Sequence, residues 1–229
     1  MDDIYFIQLF KRRKEQMIEI VSDPRFKKIE FEDKIMLGTP YHAIEEEITE
    51  TEADFIVMGT TGVSDWKESM IGSVAEKVVR HASVPVFTLR QPVALENIHR
   101  IVFASDFKDE NTSYTGLVRS LQDFFEAEMN FVYINTPSSF KDEREIKSVI
   151  KSFAQKSDFK YYKIHVYSHN NEEEGIVYFT EDQKMDLIMM ATYGRTGISR
   201  IFEHSIAEDV VNFSKKPVLT FNLHNLRQE

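Results

Sequence analysis

The stretch Asp54-Phe-Ile-Val-Met-Gly-Thr-Thr-Gly62, followed after nine residues by Gly72-Ser73, decides how this chain is read. An apolar run from Ala53 to Met58 leads into Gly59-Thr60-Thr61-Gly62, and Gly72 opens a segment of helical character ending at His81. A strand, a glycine loop and a helix start together form an anion-holding arrangement. Glycines admit close approach to the backbone, and the first turn of a helix offers N–H groups and a partial positive charge. The spacing is neither Gly-x4-Gly-Lys-Ser/Thr nor Gly-x-Gly-x-x-Gly.

The same stretch recurs. Asp54–Arg90 aligns with Asp186–Asn222 without a gap at a constant offset of 132 residues, with 13 of 37 positions identical. The identities include Asp54/Asp186, Thr60/Thr192, Gly62/Gly194, Ser73/Ser205, Glu76/Glu208 and Pro85/Pro217. A period of this length marks two copies of a domain, because solenoid repeats run at roughly 20–50 residues. The expected boundaries are residues 1–92 and 98–224, joined by a linker at Gln91–Asn97.

The second copy alternates strand and helix. Strands are expected at Arg100–Ala104, Met129–Ile134, Tyr161–Tyr167, Asp186–Ala191 and Pro217–Phe221. Helices are expected at Thr112–Phe125, Lys141–Gln155, Glu173–Gln183 and Ile206–Phe213. That order gives an α/β fold with an open parallel sheet covered on both faces, and ligands in such sheets sit beyond the strand carboxyl ends.

In the first copy, Ile4–Val21 and Tyr41–Thr49 read as helices, Ile29–Met36 and Ala53–Met58 as strands, and Val84–Leu89 as the last strand. Met1 aligns with Tyr133, so the opening strand, first helix and nearly all of the second strand have no first-copy counterpart. Three readings of this shortfall stand open. The assigned start is late, the domain is naturally reduced, or another chain fills the gap. The penalty of leaving strands without neighbours favours a late start.

Composition narrows the function. A net charge of −10 argues against a nucleic-acid groove and against an acidic membrane face. Cysteine is absent, which removes disulfides, thiolate metal sites and cysteine nucleophiles. The start, Met1-Asp2-Asp3, is acidic where a signal peptide would be basic, and a cytoplasmic location is expected. Lys11-Arg-Arg-Lys14 reads as a solvated helix face, and Trp66 as a lid or packing anchor. His165 and His169 fall on a strand running into a loop, so no metal site is expected. Ser73 and Ser205, each followed three residues later by a glutamate, read as helix caps. Asp54 and Asp186 read as turn residues opening buried strands.

The motifs Asp54–Gly62, Gly72–Ala82 and Pro85–Leu89, with Asp186–Gly197, Ser205–Glu208 and Arg100–Phe107 in the second copy, together resemble the universal stress protein family. The resemblance implies tandem Rossmann-like domains, each an open five-stranded α/β sheet, the first lacking its N-terminal strands. It also implies antiparallel pairing of the two last strands within the chain, and a homodimer. Some members of the family hold ATP on the glycine motif, whereas others lack the motif and bind none. Gly59, Thr60, Gly62, Gly72 and Ser73 match the family's phosphate loop, so ATP, with Mg, is expected there. Asp106 matches the acidic residue that faces the adenosine. In the second copy, Asp106, Gly194 and Ser205 make a vestigial site: Ala191 and His204 replace glycines, and Glu203 adds negative charge that Arg195 and Arg200 partly offset. The function expected is a non-catalytic, ATP-responsive stress protein signalling through dimer or partner contacts. The alternatives are an interaction scaffold independent of nucleotide and, more weakly, an ATPase. Against the last, no general base or carboxylate pair accompanies the loop.

Overall fold

Strand β3, Arg100–Ala104, carries four consecutive buried residues, and β6, Leu187–Thr192, four more. Continuous apolar runs of this kind belong to strands covered on both faces rather than one. The computed structural model describes residues 2–60, 72–108, 114–192 and 205–223. By internal packing the chain divides into two units, Met1–Ile44 and Glu45–Glu229.

The larger unit holds a seven-stranded sheet. Besides β3 and β6 it contains β1 (Ile56–Gly59), β2 (Val86–Leu89), β4 (Glu128–Asn135), β5 (Tyr162–Ser168) and β7 (Val218–Asn222). The order is β1-β2-β7-β6-β3-β4-β5. Every neighbouring pair is parallel except β2 and β7, which run antiparallel. At that joint Phe87 faces Leu219, Thr88 faces Val218 and Val86 faces Thr220. Phe87 and Leu219 are separated by the repeat offset, so a local two-fold passes through their pairing. The fold is therefore α/β, built from tandem open parallel sheets that share one ladder.

Within the second copy the winding starts at β3, moves out through β4 to β5, then reverses to β6 and β7. The reversal lies between β3 and β6, and the strand carboxyl ends there form the usual ligand rim. Helices close the layers: α4 (Thr115–Phe125), α5 (Glu143–Lys156), α6 (Glu172–Asp182) and α7 (Ile206–Phe213) in the second copy, and α3 (Ser73–His81) in the first. Helix α5 shows why the sequence folds so. The Asp142 carboxylate accepts the Arg144 N–H at 2.8 Å as its cap, and Ile146, Ile150, Phe153 and Ala154 bury one face. Phe103 is the centre of the core, stacked at 6.0 Å on Phe153 and at 6.1 Å on Phe221, with Phe131 meeting it edge-on.

The smaller unit contains helix α1 (Asp2–Val21), a 3-10 turn at Pro24–Phe26 and the start of α2 (Pro40–Thr51). Asp23 caps the turn, its Oδ1 accepting the Arg25 N–H at 2.9 Å. The strand expected at Ile29–Met36 is not formed, and this segment has no regular structure. Its second-copy counterpart, β5, exists by pairing with β4, and among the described residues no strand pairs with 29–36. A lone strand has no ladder in which to spend its backbone hydrogen bonds.

Candidate functional site

The two copies place the same motif in different settings. In the first, β1 ends at Gly59 and the chain turns through Thr60, whose N–H donates to the Leu89 carbonyl at 3.0 Å. The Gly72 N–H donates to the Thr60 carbonyl at 2.9 Å, tying the helix start to the strand end. Thr60 is buried. Gly62 and Trp66 lie outside the described residues.

Gly72, not Ser73, is the N-cap of α3, and Ser73 is its first helical residue. The Glu76 N–H that a Ser73 cap would receive goes instead to the Gly72 carbonyl at 3.0 Å. Ser73 is therefore not the cap expected of it. Among the described residues, nothing in backbone conformation or packing demands either glycine. A β-carbon on Gly59 would stand 4.0 Å from the Leu89 carbonyl oxygen, and one on Gly72 would stand 3.7 Å from that of Thr60. Both are ordinary contacts, and neither residue has a positive φ. The first-turn amides of α3, at Ser73, Val74 and Ala75, are the donors that this geometry leaves for an anion.

In the second copy a cleft of about 470 Å³ opens over the carboxyl ends of β3, β4 and β6. Asp106, Tyr133, Glu172, Thr192 and Ser205 are among its lining residues. Asp106 is held by a tight turn: Ser105 Oγ accepts the Phe107 N–H at 3.0 Å, and Asp106 Oδ1 accepts the Lys108 N–H at 3.2 Å. The turn puts Phe107 in the left-handed region, φ 55°, while its ring packs into the Phe103 cluster. Thr136 is fully buried and donates its hydroxyl to Glu172 at 3.1 Å, fixing that carboxylate at the start of α6. Burial pushes the Tyr133 phenol up from its ordinary value.

Ser205 caps α7, its Oγ accepting the Glu208 N–H at 3.2 Å. The Glu208 carboxylate, 1% exposed, reaches across the copies to Arg80 on α3, whose Nε donates to Oε1 at 2.6 Å and whose second nitrogen donates to Oε2. The same guanidinium bonds Glu76 at 3.1 Å. Burial works to raise the Glu208 carboxyl, but the bonds from Arg80 and Ser205 outweigh it and hold the group below the usual range. Arg80 has no arginine counterpart, since Asn212 stands at that position in the repeat. Nothing in the sequence signals the Arg80–Glu208 pair, because its members are 128 residues apart.

The identical pair Asp54 and Asp186 differs in the same manner. Asp186 Oδ2 accepts the His99 and Arg100 N–H groups at 3.1 and 3.0 Å, pinning the start of β3. Asp54 is exposed. Gly194, Arg195, Arg200, Glu203 and His204 lie outside the described residues. Among the described residues, no group of three His, Asp or Glu side chains is placed to hold a metal ion, and no helix is long and apolar enough to cross a membrane.

Comparison with known proteins fits this architecture. The universal stress protein family model matches residues 8–90 and 136–222. A universal stress protein of Methanocaldococcus jannaschii is 36% identical over 64 residues, which cover 28% of this chain and 38% of that protein. One from Synechocystis is 22% identical over 169 residues, 73% of this chain and 58% of that one. The chain thus spans 38% to 58% of the length of the curated relatives it matches. Among solved structures, a universal stress protein from Archaeoglobus fulgidus superposes with a TM-score of 0.73 at 19% identity, covering 96% of this chain and 79% of that one. A putative universal stress protein from Pseudomonas aeruginosa gives 0.64 at 15% identity, covering 91% and 78%. These superpositions establish the fold. The family model spans both copies and most of the sequence, and the chain belongs to the universal stress protein family.

Proposed function

We propose that this stress-response protein is non-catalytic, binds ATP with Mg on the Gly59–Ser73 loop of its first copy, and signals through dimer or partner contacts. The observation that carries the reading is the pair of glycines. Among the described residues, neither Gly59 nor Gly72 is required by backbone conformation or by packing, which supports close approach of a ligand to the main chain as the reason for both. The α3 amino terminus beside them supplies amides and a favourable dipole for phosphate.

The same geometry supplies the test. Because both β-carbons fit, Gly59→Ala/Gly72→Ala is expected to fold normally while crowding the phosphate path. Calorimetric titration with Mg-ATP should give saturable heat for the natural sequence and none for the double variant, with unchanged melting. No heat from the natural sequence contradicts the reading. The second reading, a scaffold independent of nucleotide, draws on the commitment of the Gly72 N–H to Thr60, which removes one donor from the loop.

A further inference from the structure

Helix α3 carries a carboxylate, Glu76, in its first turn, next to the amides at Ser73, Val74 and Ala75. A negative charge there opposes any phosphate unless a cation beside it cancels the repulsion. Arg80, one turn further on, bonds Glu76 at 3.1 Å and so reaches back toward the amino end of its own helix. Glu76 does not hold it alone. Its Nε donates to Glu208 Oε1 at 2.6 Å, and its second nitrogen serves both Glu76 and Glu208. At the end of β7, Asn222 Nδ2 donates to the Arg80 carbonyl at 3.0 Å. The second copy thus grips Arg80 by its backbone and by its guanidinium. Glu76 and Glu208 are equivalent positions of the repeat, so a single guanidinium answers both carboxylates and one negative charge is left over.

The repeat associates this arginine with the glycines. The first copy has Gly59, Gly72 and Arg80, whereas the second has Ala191, His204 and Asn212 at the matching positions. Glycines and cation are present together or replaced together. We propose that the second copy tunes the anion affinity of the first: Glu208, acting through Arg80, sets the charge beside the α3 amino terminus. Arg80 is a positioning residue, which draws Glu76 back along the helix and neutralises it. Neutralising Glu208 leaves Arg80 to Glu76 alone and raises anion affinity. Removing Arg80 leaves two carboxylates and lowers it. As regulation of ATP binding, this effect rests on the reading of the Gly59–Ser73 loop as the phosphate grip; the effect on the local potential does not.

The test compares the natural sequence, Glu208→Gln, Arg80→Ala and the double variant at low salt and about pH 8, where His81, depressed by burial, is neutral. Titration with Mg-ATP should give affinity about threefold higher for Glu208→Gln, about threefold lower for Arg80→Ala and near natural for the double variant. These differences should fade at high salt. A purely structural role predicts instead that affinity falls with melting temperature in all three variants. Glu208→Gln keeps an acceptor for Arg80, and it decides the matter if Arg80→Ala does not fold. Without nucleotide, hydroxide-catalysed amide exchange at Ser73, Val74 and Ala75 reads the same potential, since negative charge repels hydroxide. Exchange should be faster in Glu208→Gln and slower in Arg80→Ala. Equal exchange rates across the chains, or the opposite order, overturn the proposal, as do equal affinities where ATP binds. Exchange in the expected order with no heat from the natural sequence contradicts the ATP reading alone.

Discussion

The two copies share 13 of 37 residues over their closing halves, yet identical residues hold different posts in each. Asp186 pins the neighbouring strand, whereas Asp54 is exposed. Ser205 caps its helix, whereas Ser73 lies inside one. Glu208 is buried against an arginine from the other copy, whereas Glu76 meets that arginine at the surface of its own helix. The comparison teaches that a residue's role in this fold is set by which neighbours the chain supplies, more than by its place in the motif.

The sharpest break in the symmetry is Arg80. Arg80→Ala would leave Glu208 buried without its cation and is expected to cost about 3 kcal/mol of stability in denaturant unfolding. Glu208→Gln in that background should recover part of the loss, by removing the buried charge. Asp186→Ala should cost about 2 kcal/mol, since two β3 amides lose their acceptor, while Asp54→Ala should fall within about 0.5 kcal/mol. Equal effects at the two aspartates would break the comparison. Smaller still, Ser205→Ala should cost about 1 kcal/mol as a lost cap, and Ser73→Ala less.

Acid should act in two stages. Burial is the leading cause that depresses His81 and His165 in the fold, and unfolded histidine takes up its proton near pH 6.5. Their contribution is present above that pH and is lost as pH falls through it toward the folded values. Glu208 is also depressed, so its contribution is present above the unfolded carboxylate value of about 4.3 and is lost below it. Melting temperature should therefore decline first near pH 6 and again below pH 4.5. Arg80→Ala should flatten the second decline most, with a smaller effect on the first because Arg80 also helps to depress His81.

Much of this was legible in the sequence. The repeat, the order of strands and helices in the second copy, and the position of the glycine loop at a strand carboxyl end all follow from periodicity and spacing. The segment Ile29–Met36 was not, because its alternation describes a strand only when a partner exists to pair with. Ser73 is not the cap that its pattern suggests, because the capping pattern is local, while the start of α3 is fixed by the Thr60 carbonyl that Gly72 reaches. The cleft beside Asp106 depends on a left-handed phenylalanine, which no propensity scale marks. The Arg80–Glu208 pair joins distant segments and could be seen only once the antiparallel joint had brought α3 and α7 together.

The most direct test of the account is amide-resolved hydrogen exchange with and without Mg-ATP. The account predicts slower exchange at Ser73, Val74 and Ala75 in the first turn of α3, with Ile206 and Ala207 in α7 unchanged. Protection centred on α7, or on neither helix, would contradict the assignment of the phosphate grip to the first copy.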